Sequence, residues 1–206
     1  MKMAVRKAGA RLRPVPVWDG PTQLIVLGLC FGVGTLSGFF FSCWGGKDPE
    51  LSDYLRQYFQ MIGRGEAVAP SLWSSIWDLT RWLLGAFLLG STALGAVGIP
   101  ALMGTRGFLL SYSAATFARL FGLSGMAVSL ASFGMAALVA VPVLFVVASD
   151  AFRQSLGRLS GDRSPGWSQR AQALAPCAGL IVLAVALQQT VMPVFLAAIC
   201  AKLFVT

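Results

Sequence analysis

Long apolar runs alternate with short polar segments along this chain. A transmembrane helix needs about 20 consecutive apolar residues. Runs that meet this length occupy residues 22–42, 82–103, 124–149 and 174–201. The run at 107–122 is shorter and contains Arg119, so it either crosses the bilayer or re-enters it. The pattern predicts an all-α, polytopic transmembrane bundle of about five spans, preceded by a tail at residues 1–21.

The polar segment between the first two runs has a pattern of its own. Pro49 suits the first turn of a helix, and Gly63 suits the end of one. Leu55, Tyr58 and Ile62 recur at helical spacing between them, which predicts an amphipathic helix. This helix has two interpretations. It packs against the spans and lipid headgroups, or it offers Leu55, Tyr58 and Ile62 as a docking surface for an extracytoplasmic partner.

Composition and charge agree with a multi-pass protein of the cell membrane. Hydrophobic residues make up 56% of the chain and charged residues 12%, with a mean hydropathy of +0.73. The net charge of +8 comes largely from the basic tail and the loop at 150–173, which the positive-inside rule places in the cytoplasm. Five crossings then put the N-terminus inside and the C-terminus outside. The basic stretch of the tail has no interleaved aromatic residues, so we expect no binding of nucleic acid.

The residues needed for catalysis are missing from the sequence. It contains no histidine, which excludes histidine-activated nucleophiles and zinc bound by histidine. No carboxylate pair lies within a predicted span, the four cysteines show no paired spacing, and no phosphate-binding glycine loop is present. We therefore expect a protein that is not an enzyme, with no catalytic residues, no metal and no cofactor.

A few polar residues fall inside or beside the apolar runs. Arg106 and Gly107 are interpreted as a tight turn between the second and third spans, with Arg106 at the inner interface. Arg119 then lies near the opposite interface, where its side chain can extend to water. Gln188 and Gln189 are expected to form hydrogen bonds with neighbouring helices, and a transport pathway is the alternative for this pair.

Glycines in the first span are spaced for close helix packing. Gly28 and Gly32 are four residues apart, and so are Gly34 and Gly38. Small residues at this spacing let two helix backbones approach each other in a membrane. The contact is either internal to the bundle, which we favour, or between two copies of the chain, so homo-oligomerisation stays open.

Four features follow one another along residues 82–149. They are the Trp82-Leu83-Leu84-Gly85 start, the Arg106-Gly107-Phe108 turn, a break at Gly122–Gly125, and Pro142 in the next span. In this order they resemble the core of the stage II sporulation protein M family. The chain departs from the family where polar residues are common, since it reads Phe-Gly-Met-Ala-Ala at 133–137.

The resemblance implies a non-enzymatic membrane scaffold that acts in endospore formation. Such a scaffold holds two peptidoglycan-degrading partners, stage II sporulation proteins D and P, at the mother-cell membrane facing the septum. There they thin the septal wall for engulfment. The competing class is a membrane component of a transporter or channel, which the Gln188–Gln189 pair and the proline-containing spans suggest.

Overall fold

The computed structural model describes residues 20–45, 49–64, 72–159 and 167–204. The described residues are helical between short turns, and no strand occurs among them. This confirms the all-α prediction. Nearly all of the predicted basic tail, 1–21, lies outside the described residues. The helices are α1 (Gly20–Trp44), α2 (Pro49–Gly63), α3 (Leu72–Gly90), α4 (Gly95–Ser129), α5 (Met135–Leu159) and α6 (Trp167–Phe204), with a π-helical turn (Leu130–Gly134) between α4 and α5.

Two stretches of the described chain are long and apolar enough to cross a membrane. The first covers 24 residues at Pro21–Trp44, and the second covers 65 residues at Gly95–Leu159. The second stretch is far longer than the roughly 20 residues that one crossing needs. Both stretches support a membrane protein, whereas the count of five spans stays a prediction.

The long second stretch reverses direction at Gly122. This glycine has φ 61° and ψ −136°, a backbone conformation that residues with a Cβ rarely adopt. After the break, Gly125 lies against the carbonyl of Phe117, and the rings of Phe117 and Phe133 are 5.9 Å apart. The two halves therefore fold back on each other, which confirms the predicted break at Gly122–Gly125.

The predicted turn at Arg106–Gly107 is wrong. Helix α4 continues through Pro100 and through both of these residues, and the reversal that precedes it lies at residues 91–94 instead. Pro100 lies in the second turn of α4, where it removes one backbone hydrogen bond without ending the helix. Arg106 is therefore in the middle of a helix rather than at its end.

Close packing on α5 explains why the chain reverses at residues 91–94. A Cβ on Gly90 would overlap Ala151, and one on Gly95 would meet the carbonyl of Leu89. The hydroxyl of Ser155, which is fully buried, donates to the carbonyl oxygens of Thr92 at 3.0 Å and Ala93 at 3.3 Å. Glycines at both ends of the turn thus let it pack against α5, where the Ser155 hydroxyl forms hydrogen bonds with two of its carbonyl oxygens.

Helices α1 and α4 lie side by side and run in the same direction. A Cβ on Gly34 would overlap the backbone of Gly104, and one on Gly38 would overlap the carbonyl of Phe108. Further along, the hydroxyls of Ser42 and Thr116 are 3.1 Å apart. Packing inside the bundle is therefore confirmed for the second glycine pair.

The first glycine pair behaves differently. Nothing lies within 4 Å of a Cβ added at Gly28 or Gly32. These two glycines leave room for side chains on a part of α1 whose neighbours Leu29 and Val33 are about two-thirds exposed, at 64% and 63%. The same spacing thus marks a helix contact in one pair and an open surface in the other.

Two apolar clusters hold the helices together. The larger joins α1, α3, α4 and α5, and its fully buried members include Leu27, Ala86, Ile99, Met103 and Ala148. The smaller lies at the Gly122 end of the bundle, where α2 and α6 meet α4, and it contains Phe59, Ile62, Val128 and Cys200. Helix α2 is therefore packed against this end of the bundle.

Candidate functional site

The amphipathic helix predicted after the first span is present as α2, and one of its faces is buried. Phe59 is 3% exposed, and its ring lies 5.8 Å from that of Phe117 and 5.7 Å from that of Phe121. Leu55 and Ile62 pack in the same cluster. The aromatic side chains beside Gly122 thus hold this face of α2.

The burial of that face corrects the predicted docking residues. Ile62 is 8% exposed, so a partner cannot reach it, and Leu55 is half-buried in the same cluster, whereas Tyr58 is 46% exposed. The apolar residues that α2 leaves exposed form a different row: Leu51, Tyr54, Tyr58 and Met61. We call this row the outer stripe. Its spacing of three and four residues places its members on one side of the helix.

Arg106 lies inside the bundle near the middle of α4. At about 1.5 Å per residue, it is roughly 16 Å from Gly95 and roughly 22 Å from Phe121. Its guanidinium lies over the indole of Trp82, 5.1 Å from the ring centroid. Trp82 is therefore half-buried inside the bundle, whereas Trp73 and Trp77, earlier on α3, are exposed.

A polar cavity of about 300 Å³ lies between α3, α4 and α5, beside Arg106. Its polar lining residues are Asp78, Arg81, Arg106, Ser113 and Ser132. Asp78 and Arg81 form an ion pair one turn apart on α3. The cavity therefore contains two guanidinium groups and one carboxylate, an excess of one positive charge.

A second, much smaller cavity of about 20 Å³ is lined by Trp82 and Arg106, with Leu144 and Ala184 among its other lining residues. This volume is close to the space that one water molecule needs. Trp82 lines it, and its buried indole N–H has no hydrogen-bond partner in the described part of the chain. A water molecule here would satisfy that donor.

An apolar groove of about 640 Å³ adjoins the polar cavity. It lies between α4 and the chain after Gly122, with Phe39 of α1 at its edge. Leu110, Phe133 and Ala137 line both spaces. The π-helical turn supplies Phe133 to both spaces and Ser132 to the polar cavity. Turns of this kind occur often at functional sites.

The other predicted site residues are Arg119, Pro142, Gln188 and Gln189. Arg119 lies near the Gly122 end, with its Nη1 atom 3.6 Å from a Cβ built at Gly45. Pro142 is exposed within an unbroken α5, and Gln189 is half-buried. The side chain of Gln188 lies outside the described residues. Arg119, Pro142 and Gln189 line neither the polar cavity nor the apolar groove.

Sequence reasoning missed Asp78, Arg81, Ser113 and Ser132 as site residues. Asp78 and Arg81 precede the second apolar run, so their pattern suggested an interface rather than a cavity. The available signal was the pairing of opposite charges three residues apart, which is common on solvated helices and therefore weak. Among the described residues, no three side chains of His, Cys, Asp or Glu come together as metal ligands.

Comparison with known proteins identifies no family for this chain. The chain matches no protein-family model, no curated protein and no solved structure. The likeness to sporulation protein M therefore rests on the four sequence features between Trp82 and Pro142, of which the Arg106-Gly107-Phe108 segment is helical rather than a turn.

Proposed function

We propose that this chain is a membrane scaffold without catalytic activity, which holds extracytoplasmic partner proteins through the outer stripe of α2. One observation carries the proposal: α2 is fixed to the bundle by one face and leaves Leu51, Tyr54, Tyr58 and Met61 exposed along another. A helix held in this way offers a partner a surface that is already ordered.

The residues of the outer stripe suit protein recognition. Tyr54 is 67% exposed and Tyr58 is 46% exposed. Tyrosine is enriched among residues that dominate binding energy, because its large ring loses little conformational entropy when it is buried. Two tyrosines about one helical turn apart, flanked by Leu51 and Met61, therefore form the anchor for a partner.

Helix directions support an extracytoplasmic position for α2. The basic tail precedes α1, so the positive-inside rule places the start of α1 on the cytoplasmic side. Helix α2 follows the other end of α1 and packs beside the Gly122 reversal. Helix α3 returns, α4 crosses parallel to α1, the chain after Gly122 returns, and α6 crosses last. In this proposed arrangement the chain crosses the membrane five times.

The identity of the partners comes from the sequence resemblance. A relative of sporulation protein M would recruit the peptidoglycan-degrading stage II sporulation proteins D and P to the septal membrane for engulfment. An ordered helix on the outer side of the bundle is compatible with that role, because the cell wall lies on that side.

A pull-down from solubilised membranes tests the proposal. Changing Leu51, Tyr54 and Tyr58 together to Ser should lower the recovery of cell-wall enzymes at least tenfold. This is the effect of removing about 1.4 kcal/mol or more of binding free energy. The buried face of α2 is untouched, so the variant should reach the membrane in normal amounts.

A second triple variant on the same helix is the matched control. Asp53, Arg56 and Gln57 are exposed polar residues of α2, and changing them to Ser should leave partner recovery unchanged. Undiminished recovery by the outer-stripe variant would contradict the docking surface. Equal loss in both variants would show that the helix as a whole, rather than the stripe, affects binding.

Transport is the second candidate function, and the polar cavity favours it. Charged residues deep within a membrane bundle are costly and commonly mark substrate or ion pathways. Purified protein in proteoliposomes should move no solute if the scaffold proposal is right. Movement of an anion that stops in the Arg106→Gln variant would favour the transport function instead.

A further inference from the structure

The polar cavity carries more positive than negative charge in a part of the bundle where charge is expensive. We propose that it binds a phosphate-type oxyanion, with Arg106 as the main anchor. This binding site goes beyond the scaffold function and does not depend on it.

The cavity has an excess positive charge that a bound anion would balance. Asp78 is in ion-pair contact with Arg81, and one carboxylate cannot neutralise two guanidinium groups. Asp78 also attracts the Arg106 guanidinium electrostatically, but its ion-pair contact is with Arg81. The excess positive charge that remains inside a low-dielectric bundle is unfavourable, and a bound anion would remove that cost.

The donors of the cavity are of the types that bind phosphate groups. Both guanidinium groups lie near the same indole, Arg106 at 5.1 Å and Arg81 at 5.7 Å from the Trp82 ring centroid. Arginine forms paired, charge-assisted hydrogen bonds with phosphate oxygens. Ser113 and Ser132 add hydroxyl groups from two other helical segments. Donors from three helical segments suit a group with several oxygen atoms.

The size and position of the cavity also suit a bound ligand. Its volume of about 300 Å³ is at the lower end of the range of about 300–1,000 Å³ that is usual for small-molecule sites. Asp78 and Arg81 are half-exposed, with side-chain exposures of 48% and 50%. A ligand can therefore approach from the α3 side and reach the more enclosed Arg106.

The phosphate has two possible sources, a lipid headgroup or a free ion. The adjoining apolar groove of about 640 Å³ shares Leu110, Phe133 and Ala137 with the cavity, so an acyl chain could lie beside a bound headgroup. A free phosphate ion would use the polar cavity alone. The two sources differ in whether binding needs a lipid.

Binding to the purified full-length protein tests the proposal. Inorganic phosphate is titrated in neutral detergent while the thermal unfolding midpoint is followed. In parallel, the protein is placed in nanodiscs that contain phosphatidylcholine with and without phosphatidylglycerol, and retained lipid is identified by native mass spectrometry. Saturable stabilisation by phosphate shows a free-ion site. Selective retention of phosphatidylglycerol without a phosphate effect shows a lipid site. Either result supports the proposal.

Variants connect the binding to the cavity. Arg106→Gln should weaken binding at least tenfold, and Arg106→Lys should retain part of it because the positive charge remains. Arg153→Gln is the matched control, since Arg153 is exposed on α5 and does not line the cavity. Asp78→Asn should tighten binding severalfold, because it frees Arg81 and doubles the excess charge. A purely structural role of the cluster would not produce tighter binding.

The site is refuted if neither phosphate nor phosphatidylglycerol binds the wild-type protein, or if Arg106→Gln binds as well as Arg153→Gln. Should Arg106→Gln fail to fold, Arg81→Gln and Ser132→Ala decide the matter, since both change only the rim or a hydroxyl. Severalfold weaker binding in both variants supports the site, and unchanged binding in both overturns it.

Discussion

The contact between α1 and α4 predicts opposite results for two glycine pairs on the same helix. A Cβ added at Gly38 would overlap the carbonyl oxygen of Phe108, and it would lie 3.0 Å from the backbone nitrogen of Tyr112. These neighbours are backbone atoms of a helix, so they cannot rotate away. Gly38→Ala must therefore push the two helices apart.

The size of the effect follows from two opposing terms. Overpacking of a tight contact costs about 1–3 kcal/mol, whereas replacing glycine by alanine within a helix contributes up to about 1 kcal/mol of stability. We expect Gly38→Ala to lower the free energy of unfolding by about 1–2 kcal/mol. Gly32→Ala is the matched control. Because nothing lies within 4 Å of its added Cβ, its effect should lie between zero and a gain of about 1 kcal/mol.

Unfolding of the purified protein in mixed micelles measures this difference. The fraction of folded protein is followed by circular dichroism as the mole fraction of dodecyl sulfate rises in a neutral detergent. The midpoint should fall for Gly38→Ala and stay equal or rise for Gly32→Ala. Equal shifts of the two midpoints would refute the close α1–α4 contact and the parallel arrangement that it implies.

The same unfolding assay checks three further predictions. Ser155→Ala removes a buried hydroxyl that donates to two carbonyls of the 91–94 turn and should cost about 1–3 kcal/mol; no change would mean that the turn does not rest on α5. Gly122→Ala should cost about 1–3 kcal/mol because its backbone, at φ 61° and ψ −136°, lies in a region that residues with a Cβ rarely adopt, while Gly157→Ala, with open space around its Cβ, should cost nothing. Phe59→Ala should cost about 3–5 kcal/mol, in contrast to a loss below about 1 kcal/mol for exposed Tyr58→Ala; similar losses would contradict the burial of one α2 face.

The sequence predicted the helices more accurately than the turns between them. Gly122 could be predicted as a break because a glycine falls between two apolar runs. The turn at 91–94 could not, because the apolar run continues through it and Pro100 was the more obvious helix breaker. Its true cause is the approach of Gly90 and Gly95 to α5, a contact between distant parts of the chain.

The candidate sites depended still more on tertiary contacts. Helical spacing predicted α2, but apolar residues occur on two of its sides, and only the position of the Phe117 and Phe121 rings decides which side is buried. Arg106 was assigned to an interface because charges are usually found there. The polar cavity combines residues from α3, α4 and the π-helical turn, and no spacing along the chain reveals that they converge.

Photo-crosslinking at the outer stripe tests the scaffold proposal most directly. A photoreactive amino acid replaces Tyr54 in a spore-forming host, the cells are irradiated during engulfment, and covalent adducts are identified by mass spectrometry. The control is the same photoreactive amino acid in place of Ile62, which is 8% exposed. The proposal predicts adducts with peptidoglycan-degrading proteins from position 54 and none from position 62. Adducts with lipid alone at position 54 would contradict it and would make α2 an interfacial anchor.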